Sequence, residues 1–342
     1  MNRWVGPLIE RETSEGRVWS ILDGKYSSTL KFALFLTIIF CLGVGISTAS
    51  AKTYCVDDDP SSLDGIECNS SIQEAVDAAS DGDTIIVRDG TYYENVNVDK
   101  QLTIRSENGS GNCIVDVGGS GNAFTLSSDG ITVEGFTAIN SEWGVWIYSS
   151  DNNIHDCNFS YNRYDGIYLD NSDNNTIRDT KANHNGYSSV FLTGSSNNVL
   201  INITATNNGD FGGIYAEMFS INNSIRDCNI TDNQGPGIWI YDNCDNTNIK
   251  SCNVSANGEY GYDGISIFSQ NNTITRNIIN SNTQSGILLY GVNNVVEDNI
   301  VKLNGYCGID SSYSGHVIRN NTISMNYDYG ICMWGSDSLI YN

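Results

Sequence analysis

Proline is almost absent, with three among 342 residues, while glycine reaches 34. Bends in this chain must therefore come from Gly and the abundant Asn, which accept a left-handed backbone, and not from a fixed φ. Basic residues are scarce too: 17 Lys and Arg stand against 40 Asp and Glu, for a net charge of −23. Nucleic acid and anionic membrane surfaces both call for a basic face, so neither is expected as a partner. One long apolar run occurs, from Phe32 to Ile46, after Lys31 and before Ala49-Ser50-Ala51. It is short for a spanning helix, and the small-x-small ending fits a signal peptidase site. Residues 1–51 are thus expected to be a polar leader plus signal peptide, or an anchor if uncleaved, and the protein to be secreted or held at the cell surface. No other membrane contact is expected.

Ten cysteines, nine of them beyond that segment, fit an oxidising compartment. Cys55 and Cys68 flank a short loop and are the candidate disulfide. The others fall inside a repeat, where buried free thiols are expected.

The repeat is a small residue followed by aliphatic-x-apolar. It starts at Gly144 (GVWI), Gly166 (GIYL), Ser189 (SVFL), Gly213 (GIYA), Gly237 (GIWI), Gly264 (GISI), Gly286 (GILL), Gly308 (GIDS) and Gly330 (GICM), at spacings of 22, 23, 24, 24, 27, 22, 22 and 22. A second apolar pair follows in each period, as in "NNTIRDTKA" and "NNVVEDNIV". Two short alternating segments per period, joined by Asn and Gly bends and without helical periodicity, predict a right-handed parallel β-helix of about eleven coils. A leucine-rich repeat would show one strand and a Leu-x-x-Leu-x-Leu pattern, which this Ile/Val-rich chain lacks.

Alternation separates inside from outside. Val145, Ile167, Val190, Ile214, Ile238, Ile265, Ile287, Ile309 and Ile331 form one inward column, and Ile147, Leu169, Leu192, Ala216, Ile240, Ile267, Leu289, Ser311 and Met333 the next. Asn recurs four places before the small residue, at Asn162, Asn185, Asn233, Asn282, Asn304 and Asn326, and is expected to stack amide on amide. Another column reads Cys157, Thr180, Ile203, Cys228, Cys252, Asn277, Asn299, Asn321, with Cys228 and Cys252 as stacked, unbonded neighbours. Ahead of the repeat, Ser71-x-x-Glu74 is a capping box, and Ile72, Ala75, Val76 and Ala79 make an apolar helical face. Residues 52–83 are expected to hold a short helix that caps the solenoid, and 84–342 to be the β-helix, with "DTIIV", "NVNV" and "LTI" as its first strands. The sequence ends partway through a coil, so it is either part of a longer chain or covered there by something else.

"SIQEAVDAASDGDTIIVRDGTYYENVNVDKQLTI" and the "NNTI…N…GI.L" turns resemble the NosD-like parallel β-helix repeat proteins, also called the carbohydrate-binding and sugar-hydrolysis type. The resemblance covers roughly residues 70–342. It implies the fold and a setting among archaeal and bacterial surface proteins. It also implies a role in copper-site maturation, which these residues do not support. Copper delivery wants clustered His, Met or Cys, whereas His155, His184 and His316 sit at three different repeat positions. No metal site is expected from them.

The outward columns carry the candidate chemistry. Trp146, Tyr168, Phe191, Tyr215 and Trp239 form an aromatic ladder, and Tyr148 and Tyr241 stand in the next outward column. Exposed rings beside acids suit a sugar, with an apolar face to stack on and acceptors for hydroxyls. A polysaccharide or cell-surface glycan is the expected partner, and other surface proteins are the second class. The competing readings are plain strand preference and a structural spacer. An enzyme is the alternative, a polysaccharide lyase or glycoside hydrolase on the same face. Asp170 and Glu217 lie two coils apart in one column, ~9.6 Å by strand spacing, with Asp165 nearby. The Asn-Thr-Asp, Gly-His-Gly and Arg-Ile-Lys set of polygalacturonases and the Asp-Pro-His of mannuronan epimerases are both missing. Calcium has candidate turns in "DNSDNN" (170–175), "YDNCDN" (241–246) and "DDDP" (57–60), although Asp and Asn also make turns unaided. Ten Asn-x-Ser/Thr sequons follow residue 51, at Asn69, Asn108, Asn158, Asn174, Asn202, Asn222, Asn229, Asn253, Asn271 and Asn320.

Overall fold

The computed structural model describes residues 50–59 and 67–341. The apolar run and the leader reading attached to it lie outside the described residues. Among the described residues no helix is long and apolar enough to cross a membrane.

The described chain winds as a parallel β-solenoid with three faces. Sheet A has 13 strands and sheet C has 11, each stacked in chain order. Sheet B has a three-stranded and a six-stranded part, joined through single bridges at Asn158 and Lys181. Three strands per coil are thus present, where the sequence shows two. The third is hard to see because units such as Thr204–Thr206 and Asn253–Ser255 place one inward apolar residue between two outward polar ones. A single apolar residue is no period. One further strand, Thr53–Val56, precedes the expected first ones and pairs in parallel with Thr84–Val87.

Register is what sorts the side chains. Val145 pairs with Ile167, Ile167 with Val190 and Ile214 with Ile238, so like stacks on like up the interior. Most members of both inward columns are fully buried, including Ala216 and Ser311. Each buried aliphatic side chain contributes ~2 kcal/mol of transfer free energy, repeated coil after coil.

Each coil turns three corners, and from Gly130 onward each corner uses a left-handed residue. Asp179, Asn202 and Asp227 (φ 52°, 52° and 57°) lead from A to B, His184 and Asn207 (φ 55° and 57°) from B to C, and Asn174, Asn222 and Asn271 (φ 60°, 59° and 59°) from C to A. Asn and Asp tolerate this region where proline cannot enter it, which accounts for the composition. The small residue before sheet C has a separate cause. A Cβ on Gly237 would lie 2.6 Å from the Gly264 carbonyl oxygen and 2.8 Å from Asn257 Nδ2.

Buried asparagines line the inside of these corners. Asn162, Asn185, Asn208, Asn233, Asn257, Asn282, Asn304 and Asn326 form one unbroken ladder, each Nδ2 donating to the next Oδ1 at 2.8–3.2 Å. A fixed offset from the glycine misses Asn208 and Asn257, because extra residues lie between ladder and strand in those coils. A second ladder runs at the C-to-A corner through Asn152, Asn175 and Asn198, and again through Asn272 and Asn294. His316 replaces Asn at its far end: its Nδ1 accepts from Asn294 N–H at 3.2 Å, and its buried Nε2 has no partner. Burial holds this imidazole below its ordinary pKa.

Helix α1, Ile72–Ala78, buries Ile72, Ala75 and Val76. Ser71 Oγ accepts from Glu74 N–H at 3.1 Å, but Glu74 returns to Ser70, not to Ser71. The free N–H groups of Ile72 and Gln73 donate instead to the two carboxylate oxygens of Glu94, at 2.8 and 2.9 Å. An acid 22 and 21 residues on from these two groups thus completes the helix start.

Cys55 and Cys68 are bonded, with Cα atoms 4.6 Å apart. Cys307 and Cys332 are bonded as well, which corrects the expectation of free thiols throughout the repeat. Cys307 precedes the small Gly308, and Cys332 lies in the outward column of the next coil, the same relation that Trp143 has to Tyr168 near the other end. The disulfide occupies a place that ring stacking fills elsewhere. Cys113, Cys157, Cys228, Cys244 and Cys252 are buried free thiols. Peptide mapping without reduction is expected to recover two linked pairs, 55–68 and 307–332. The five buried thiols should resist alkylation until the chain is unfolded. Alkylation of any of them in the native protein would contradict the packing.

Candidate functional site

The outward aromatic column of sheet C stands in register: Trp146 opposite Tyr168, Tyr168 opposite Phe191, Phe191 opposite Tyr215, and Tyr215 opposite Trp239. Ring centroids lie 6.2, 5.3, 4.9 and 5.0 Å apart along it. Rings from the preceding turn flank this column, and strand alternation gives no hint of them. Trp143 stacks on Tyr168 at 5.5 Å, and Phe211 on Tyr215 at 5.2 Å. Their cover changes the reading of the ladder as an exposed strip. Tyr215 is only 5% exposed, and the indole N–H groups of Trp146 and Trp239 are buried without a partner. The central column is thus partly covered, Tyr215 most of all, while the other four rings stay half-buried.

The open rings stand one column over. Tyr148, Tyr241, Tyr290 and Tyr313 are all exposed, and Tyr241, Phe268, Tyr290 and Tyr313 follow one another at 5.7, 5.3 and 4.9 Å. Two open clefts lie along this line. One, of about 510 Å³, is bounded by Trp146, Tyr148, Asp170, Asn171, Asn97 and Asn122. The other, of about 390 Å³, is bounded by Phe268, Tyr290, Tyr313, Asp242, Asp245 and Gln270. Neither is lined by Lys or Arg. Phe268 and Tyr290 were legible as members of the second outward column, while Tyr313, on the turn beyond it, was not.

The candidate acids separate by environment. Asp165 is 2% exposed, so it is not a surface acid. Its carboxylate accepts from Ser188 N–H at 2.8 Å, Ser188 Oγ at 2.6 Å and Trp143 Nε1 at 3.1 Å. Asp263 sits at the same place in a later coil and accepts from Ser285 N–H at 2.9 Å. Burial pushes both acids up to about 6. Asp170 and Glu217 share a column through Thr193. Asp170 lines the larger cleft and accepts from Asn171 Nδ2 at 2.7 Å, while Glu217 accepts from the Tyr215 hydroxyl at 2.8 Å.

Asp165 and Asp263 set a pH dependence. Their folded pKa values lie above the unfolded ones, so the stability they confer is present when they are protonated and is lost as pH rises from about 4 through 6, on the order of 2–3 kcal/mol apiece. His316 acts in the opposite sense, because the unfolded chain takes up a proton that the folded one resists as pH falls below ~6.5. The unfolding midpoint of the paired variant Asp165→Asn, Asp263→Asn is therefore expected to change much less than wild type between pH 4.5 and 7.5. Parallel curves for the two proteins would sink this assignment.

The acidic turns make their own bonds. Asp173 accepts from Ser196 N–H at 2.7 Å, Asp245 from the Gln270 amide at 3.0 Å, and Asp58 from Thr91 N–H at 3.0 Å. Among the described residues the set able to converge on a metal is elsewhere, on sheet A, where Glu134, His155 and Asp156 bring one ligand atom each within 4.8 Å of the others. His155 Nδ1 lies 2.8 Å from Asp156 and its Nε2 4.0 Å from Glu134, so the imidazole already has one carboxylate partner.

The family model described as "Right handed beta helix region" matches residues 122–263 and 263–342, well over half of the chain. The chain belongs to this family. A cell surface glycoprotein of Methanothermus fervidus is 28% identical over 142 residues, which are 41% of this chain and 22% of that protein. Among solved structures, the A-module of the mannuronan C-5 epimerase AlgE6 of Azotobacter vinelandii matches with a TM-score of 0.57 at 14% identity, covering 79% of this chain and 90% of that one. A rhamnogalacturonan lyase matches with a TM-score of 0.54 at 14% identity, covering 85% and 87%. At such identities the likeness is one of fold.

Proposed function

We propose that this is an exported surface protein whose sheet C face binds a glycan along the line Tyr148, Tyr241, Phe268, Tyr290 and Tyr313. The observation that carries this reading is the run of open and half-open rings from Tyr241 to Tyr313 beside one cleft, with Tyr148 beside a second cleft four coils away. Large exposed rings are costly to leave wet, and a row of them over several coils fits a long ligand better than a compact one. The named surface glycoprotein relative and the polysaccharide-acting proteins of the same fold support it. The expected architecture goes with it: residues 1–51 as leader and signal, 52–83 with the helix, and the solenoid beyond.

The ligand is an uncharged chain. Carboxylates of Asp170, Asp242 and Asp245 border the clefts, and no base offsets them. Two like charges 4 Å apart cost about 1 kcal/mol even in bulk water, so each uronate of a polyanion would meet repulsion. Titration with neutral oligosaccharides and with oligouronates tests this: retention of the neutral chains is expected, and preference for the uronates without added cation would overturn it.

Catalysis is the second reading, favoured by one feature, the placing of Asp170 in a cleft between Trp146 and Tyr148. If it holds, Asp170→Asn abolishes release of reducing or unsaturated sugar while leaving binding in place. Absence of product from the wild-type protein removes it.

A further inference from the structure

We infer that the C-to-A corner of the solenoid carries N-linked glycans at Asn174, Asn222 and Asn271, on alternate coils, and that the aromatic face is kept free of them.

None of the ten sequons lies on sheet C or on the turn leading into it; all are on the other two faces, their corners or the segment before them. The sorting also follows burial. The asparagines of the internal ladders number more than a dozen, yet not one has Ser or Thr two residues on. A sugar on a ladder amide would break the ladder, so these positions would tolerate no acceptor. At the C-to-A corner the opposite holds. Asn174, Asn222 and Asn271 are exposed and left-handed, with φ of 60°, 59° and 59°. Their hydroxyl partners Thr176, Ser224 and Thr273 open alternate sheet A strands and point outward. Between them Asn197 and Asn246 have the same backbone and exposure, but Val199 and Asn248 stand where the hydroxyl is needed. Acceptors therefore recur on every second coil, ~9.6 Å apart, leaving room that neighbouring coils at ~4.8 Å would not give two branched sugars.

The transfer is an ordinary N-glycosylation. Asn Nδ2 attacks C1 of the first sugar of a lipid-linked oligosaccharide phosphate donor. The C1–O bond to phosphate breaks with its electron pair leaving on the lipid phosphate, and the amide proton passes to the transferase. Export is required, since the donor faces the outside.

The test is a peptide map by mass spectrometry of the protein purified from the cells that make it. A saccharide increment on Asn at two or three of the corner peptides is the expected result; one or none overturns the array. A chain carrying Thr176→Val, Ser224→Ala and Thr273→Val keeps all three asparagines and is expected to lose every corner increment. Increments that persist on it also overturn the inference. Binding at the aromatic face is read separately, so failure of one leaves the other standing.

Discussion

Replacement of Asn233 by alanine is expected to lower stability by about 3–5 kcal/mol, as large a loss as any single side chain here should produce. Its Oδ1 accepts from both Asn208 N–H and Asn208 Nδ2 at 2.9 Å, and its Nδ2 donates to the Ala205 carbonyl at 3.0 Å and to Asn257 Oδ1 at 2.8 Å. Truncation leaves these partners buried with water excluded, and each unmet group costs roughly 1–3 kcal/mol before any relaxation. Because each coil contacts only its neighbours, the damage should start at those three coils and spread from there. Asn248, exposed on sheet A, is the control, and its alanine variant should stay within about 0.5 kcal/mol of wild type. Guanidinium midpoints for the two variants decide it. Equal midpoints would mean that the ladder is a consequence of the fold and adds nothing to it.

Truncation of Tyr241 and Tyr290 together is expected to weaken glycan binding by roughly 100-fold, at about 1.5 kcal/mol for each ring removed from a stacked contact. Both are open to solvent, so the unfolding midpoint should barely move. Trp239→Ala should behave in the opposite way. Its ring packs against Tyr215 and Tyr241 and its indole N–H is buried, so the variant should lose stability first and affinity only as a consequence. The split between the two variants separates the ligand-facing column from the partly covered one. A double tyrosine variant that binds as wild type would place the ligand elsewhere.

Much of the solenoid was legible because its signal is redundant. An inward column that reads Ile or Val nine times fixes strand, register and facing at once, and one slip would put all of them in water. Sheet B was not legible, since Ile230 or Val254 alone between polar neighbours carries no alternation. Asn208 and Asn257 were lost for a related reason, since counting back from a glycine fails when a corner gains residues. Both outward columns were legible, but not how far each is covered. Alternation shows that Trp146 and Tyr215 leave the core, but not that Trp143 packs on the first and Phe211 on the second from the preceding turn. Cover of this sort is a property of turn conformation and has no period. The burial of Asp165 was missed on the same account: two residues before a buried strand, it bonds to Ser188 of the following coil and Trp143 of the preceding one and not to solvent.

The most direct measurement is a glycan array probed with the wild-type protein and with the Tyr241→Ala, Tyr290→Ala variant. Retention of the wild type on neutral polysaccharides, absent from polyuronates and abolished in the variant, is the expected result. Wild-type protein that binds no glycan, or that binds equally well without the two rings, would contradict the account.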